Sequence, residues 1–117
     1  MQSDIGRFLE GRRLDSQKLI RVIYDACLGQ GANVTAWIVG KELVFGSQGE
    51  DVGSGFVRIM PFDVSLILAF PRGHEIPDPQ KKMSGVPNSR TTMTLHYPSD
   101  VDVYVRRMID VAYALES

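Results

Sequence analysis

The chain has 117 residues, 44% of them apolar and 23% charged, with 13 basic against 14 acidic side chains. That length makes one domain, spanning residues 1–117, able to bury a core without a metal or disulfide, and the composition excludes a disordered chain. The charge balance gives no electrostatic footprint for nucleic acid. The single cysteine, Cys27, excludes an intrachain disulfide or a thiolate cluster, and no run of about 20 apolar residues is present to span a membrane. Arg7, Arg12 and Arg13 interrupt the first residues before any apolar signal core forms, so the cytoplasm is the expected compartment.

Residues 1–13 place Ile5, Phe8 and Leu9 at helical spacing among three arginines. They predict a short helix or arm that packs on the domain or on a partner chain, and a homodimer is the expected assembly. Residues 15–28 predict a stronger helix. Asp15 or Ser16 is placed to cap it, and Leu19, Ile20, Ile23, Ala26 and Cys27 share one face. Gly29 and Gly31 end it. Cys27 on that apolar face reads as a small core residue, with no basic neighbour to activate it.

From Val34 the pattern changes to strand formers: Val34, Thr35, Trp37, Ile38 and Val39, a turn at Gly40-Lys41, then Leu43-Val44-Phe45. Residues 46–55 hold four glycines and predict a flexible hairpin connection; their spacing matches neither common nucleotide-binding fingerprint. Residues 56–60 form a third strand, and Pro61-Phe62 a turn or bulge. Residues 64–70 form the longest apolar run and are expected to be the most buried strand. Trp37, Phe45, Phe56, Phe62 and Phe70 lie on these apolar runs and read as core.

Beyond that run, Pro71, Gly73, Pro77 and Pro79 stop regular structure, so a buried strand delivers a stiff polar turn bearing Arg72, His74, Glu75 and Asp78. Asp78 before Pro79 suits the start of a helical turn over residues 80–83. A fifth strand follows over residues 90–96, with Thr91, Met93 and Leu95 on one face and Thr92, Thr94 and His96 on the other. The last helix opens at Pro98-Ser99-Asp100 with Ser99 as the expected cap. It carries the stripe Val101, Val105, Met108, Ala112 and Leu115, and Asp102 and Arg106 are spaced to pair. These elements give an α+β fold: an antiparallel sheet of about five strands with N-terminal and C-terminal helices packed against it.

Five features of the second half occur in order: an apolar strand ending in Phe-Pro-Arg-Gly (70–73), Ile-Pro-Asp-Pro (76–79), Met-Ser-Gly (83–85), Arg90 leading into a strand, and Tyr-Pro-Ser-Asp (97–100) before the last helix. In these the chain resembles the YdhG-like family of small bacterial domains, largely without assigned function. The resemblance covers roughly half the chain and implies an α+β fold with helices packed on an antiparallel sheet. Some members are described as frataxin-like iron chaperones, which implies metal handling as an alternative function.

Iron needs clustered oxygen ligands, and the acids here are dispersed: Glu50-Asp51 in the glycine-rich loop, Asp100 and Asp102 at a helix start. A metal site in the polar turn would rest on His74, Glu75 and Asp78, while His96 is distant in sequence. No catalytic set emerges. Ser84 and Ser89 lack the context of an activated nucleophile, and no carboxylate pair has a fixed spacing. Arg72, Lys81, Lys82 and Arg90 concentrate positive charge around the turn. The sequence therefore predicts a non-enzymatic module, without cofactor or resident metal, that binds a small anion or an acidic partner segment. Its expected site residues are Arg72, His74, Asp78 and Arg90. Metal handling, or an enzyme acting on an unidentified small molecule in a deep cleft, are the alternatives.

Overall fold

A computed structural model describes residues 2–47, 55–85 and 91–116. Two helices, α1 (Gln2–Leu9) and α2 (Leu14–Leu28), precede five strands: β1 (Thr35–Val39), β2 (Glu42–Gly46), β3 (Val57–Pro61), β4 (Leu66–Ala69) and β5 (Thr92–Leu95). Helix α3 (Val103–Glu116) ends the chain. The strands form one antiparallel sheet in sequential order. The α+β fold expected from the sequence is therefore the fold observed.

Register puts Ala36 opposite Phe45, Leu43 opposite Ile59, Ile59 opposite Leu68, and Leu68 opposite Met93. Side chains alternate faces along a strand, so these residues share one face. They join Ile5, Phe8, Leu19, Ile20, Ile23, Cys27, Val105, Met108 and Ile109 in a single core. All three helices thus bury their apolar stripes on the same side of the sheet. The opposite face carries the row Trp37, Val44, Arg58, Ala69 and Thr92, with Arg58 Nε donating to Glu42 Oε1 at 2.8 Å. No helix among the described residues is long and apolar enough to cross a membrane.

The β1–β2 hairpin turns at Gly40, whose φ of +61° suits the residue expected there. Most of the glycine-rich connection, residues 48–54, lies outside the described residues.

Several local expectations are corrected. Helix α2 starts after Arg13 with no side-chain cap, and Ser16 Oγ instead donates to the Asp63 carbonyl at 3.3 Å. The run 64–70 begins its strand only at Leu66, because the Phe62 N–H donates to the Ser65 carbonyl at 2.7 Å and closes a turn. That turn leaves Phe62 and Val64 exposed, not in the core. Burial in β4 alternates, whereas four successive residues of β2 are buried, so β2 and not β4 is the deeper strand. Residues 98–100 make a separate 3-10 turn before α3. The cap of α3 is Asp102, whose Oδ1 accepts the Val105 N–H at 3.0 Å, rather than Ser99. Asp102 also lies 3.7 Å from Lys82 Nζ, a partner the expected pairing with Arg106 did not include.

Candidate functional site

The polar turn after β4 is fixed from both ends. Phe70 is fully buried, and its N–H donates to the Thr91 carbonyl at 2.8 Å. The Gly73 N–H then donates to the Phe70 carbonyl at 2.8 Å, opening a 3-10 turn over Gly73–Glu75. Arg72 grips Glu75 with two bonds, Nε to Oε2 at 2.6 Å and Nη2 to Oε1 at 2.7 Å. Its third donor, Nη1, reaches the Leu115 carbonyl at 2.6 Å and so satisfies an open acceptor at the end of α3. The hydrogen bond from Arg72 holds the Glu75 carboxyl below its ordinary value, and the same bond raises the guanidinium pKa of Arg72. His74 is exposed, with Nε2 3.6 Å from Glu75 Oε2.

Asp78 serves a different junction. Its Oδ1 accepts the Lys82 N–H and its Oδ2 the Met83 N–H, both at 2.9 Å. The Tyr104 hydroxyl donates to Oδ1 and accepts the Gln80 N–H at 3.0 Å. Desolvation, and then the bond to Asp78, raise the Tyr104 phenol pKa. The helical turn expected over residues 80–83 is replaced by an irregular loop, with Lys81 at φ +53°. The carboxylate collects the loop amides that a helix would have paired internally. Lys82 Nζ sits 4.7 Å from the centre of the Tyr104 ring.

This loop and α3 enclose an open groove of about 740 Å³. Ile76, Pro77, Pro79, Val103, Met108 and Val111 give it apolar walls, and Lys82, Asp102 and Arg107 supply its charge. Arg107 is exposed and has no acidic partner among the described residues.

Of the residues singled out in the sequence, Arg72 and His74 meet at Glu75, while Asp78 is held at Tyr104. Arg90 lies outside the described residues. His96 is exposed, beside Tyr97 on the far side of β5, with ring centres 6.3 Å apart. Among the described residues, no three His, Cys, Asp or Glu side chains are gathered as metal ligands. Sequence reasoning missed Tyr104 and Arg107. Both lie off the apolar stripe of the last helix, and an aromatic residue at such a position was the available signal. Comparison of the chain with models of protein families, with curated proteins and with solved structures finds no match.

Proposed function

We propose that this chain is a non-enzymatic binding module and that its ligand is a small amphipathic anion held between the 76–82 loop and α3. The supporting observation is the guanidinium of Arg107, which has no acidic partner among the described residues and lies on the border of an apolar groove. An apolar trough with a few placed polar groups is the usual form of a small-molecule site. Arg107 replaces Arg72 as the anion-holding group in this reading, since Arg72 is occupied by Glu75 and the Leu115 carbonyl. Asp78 and Tyr104 act as builders of the wall.

The YdhG-like resemblance is proposed from the five sequence features of the second half of the chain, and Ile76, Pro77 and Pro79 of its Ile-Pro-Asp-Pro segment line this groove. A cytoplasmic setting is proposed from the sequence, and the buried thiol of Cys27 is compatible with it. The metal-handling alternative has less support, because Glu75 and Asp78 already spend their carboxylates on Arg72, on loop amides and on Tyr104.

The test is titration with octanoate, followed by amide chemical shifts, with octanol as the uncharged comparison. Octanoate should shift the Val103, Met108 and Val111 signals and bind more tightly than octanol. Arg107→Ala should weaken octanoate by about tenfold, the scale of one charge-assisted hydrogen bond. Equal binding by Arg107→Ala, or shifts away from α3, would overturn the assignment.

A further inference from the structure

Two of the six large apolar side chains left exposed among the described residues, Val64 (62%) and Tyr97 (65%), line one notch, and two more, Leu14 (64%) and Phe62 (50%), are chain neighbours of its lining residues. The notch, of about 210 Å³, lies where the start of α2 meets the β3–β4 turn. Val64 and Tyr97 line it directly. Leu14 sits between its lining residues Arg13 and Asp15, and Phe62 between Pro61 and Asp63. The Ser16–Asp63 hydrogen bond ties the two elements together, so the patch is built on fixed backbone. Grouped exposure of this kind marks an interaction surface, whereas scattered apolar residues do not.

The charges on the patch identify the partner. Arg13, Asp15 and Asp63 line the same notch, yet none makes an ion pair within the described part of the chain. A partner of one sign would leave one of these groups buried against like charge or against none, which is costly. A second copy related by a twofold axis presents both signs and the same apolar side chains, because an isologous contact is its own complement. We propose that the chain forms a twofold homodimer through this patch, with Arg13 of one copy facing the acidic pair Asp15 and Asp63 of the other, and Val64 and Tyr97 packed at the centre. The groove beside α3 lies on different residues and stays open in such a dimer.

Light scattering and sedimentation equilibrium across a concentration series test the proposal. The parent chain should be a dimer. Val64→Asp should weaken association at least tenfold, the scale of a central interface truncation, while Val39→Asp, an exposed apolar residue at the end of β1 that lines neither the notch nor the groove, should leave it unchanged. Val64 is a solvent-facing turn residue, and circular dichroism of Val64→Asp should match the parent. A charge swap gives a second arm: Arg13→Asp alone should dissociate the dimer, and mixing it with an Asp15→Arg/Asp63→Arg chain should restore association between the two. A parent chain that stays monomeric overturns the proposal. So does a Val64→Asp variant that dimerises as tightly as the parent, or a swap pair that fails to associate.

Discussion

Asp78 and Tyr104, 26 residues apart in sequence, share a hydrogen bond that fastens the loop after β4 to the first turn of α3. The same carboxylate holds the Lys82 and Met83 amides, so one side chain organises both the loop and its attachment. Tyr104→Phe removes the Asp78 bond and the Gln80 N–H bond to the hydroxyl, and leaves the Lys82 and Met83 amide bonds. Asp78→Ala removes the Lys82, Met83 and Tyr104 bonds and leaves Gln80 on the hydroxyl. Thermal melting should therefore rank the parent above Tyr104→Phe and Tyr104→Phe above Asp78→Ala. The Asp78→Ala loss should be about 1–2 kcal/mol, the scale of a lost carboxylate cap. If the two variants melt together, the Lys82 and Met83 contacts contribute no more than the single Gln80 bond.

That junction shows how far sequence reasoning reached. The turn role of Asp78 was legible because proline on both sides forbids regular structure and leaves amides to be collected. Its partner was not, because nothing local to Tyr104 specifies a residue so far upstream. The Arg72–Glu75 pair was within reach at a spacing of three, but the Leu115 carbonyl was not. The facing of β5 followed from alternation, which is a local property. The start of β4 did not: Val64 is as apolar as Leu66, and a backbone bond between Phe62 and Ser65 removes it from the sheet. Helix starts failed similarly, since Ser16, Ser99, Asp100 and Asp102 all suit a cap and only the path of the chain selects Asp102.

Acid should weaken the fold through two carboxylates. Asp100 Oδ2 accepts the His96 N–H at 2.8 Å and the Tyr97 N–H at 2.9 Å, and these bonds lower its pKa. Glu75 is lowered by its hydrogen bond from Arg72. A folded pKa below the unfolded one means the unfolded chain binds more protons in that window, so stability there rises with pH. The contribution is complete above the unfolded carboxyl range, about pH 4, and disappears as pH falls through the folded values. Urea unfolding across the acid range should show a shallower pH slope for Asp100→Asn than for the parent, and shallower again for Asp100→Asn/Glu75→Gln. An unchanged slope in the double variant would remove these two groups as the source.

Cys27 should be chemically silent until the protein unfolds. It is fully buried, and desolvation pushes its thiol pKa well above the ordinary value, so the nucleophilic thiolate is suppressed. An aromatic disulfide reagent should label no thiol in native buffer and one thiol per chain in denaturant. Labelling at the same rate in both would place Cys27 at the surface and would discredit the packing of α2 against the sheet.

Three glycine-to-alanine variants should form a graded series, because their surroundings separate backbone strain from crowding. At Gly40, with φ +61° and no atom within 4 Å of an added Cβ, only the left-handed conformation is penalised, by about 1–2 kcal/mol. At Gly73 the backbone conformation is ordinary, but the new Cβ would stand 2.9 Å from the Thr91 Cα. The 3-10 turn would have to lift off the strand entrance, loosening the Phe70–Thr91 bond that leads into the polar turn. Gly55 combines both faults, with φ +76° and a Cβ 2.4 Å from the Phe45 carbonyl oxygen, in the connection between β2 and β3. Gly55→Ala should therefore be the most destabilised by denaturant unfolding, and Gly40→Ala should lose no more than its conformational cost. Gly73→Ala should in addition shift the amide signals of residues 70–76 and Leu115, since Arg72 rides on that turn and bonds the end of α3. A Gly73→Ala variant with parental stability and unchanged Leu115 signals would show that the turn does not press on β5 and that Arg72 does not couple it to the helix.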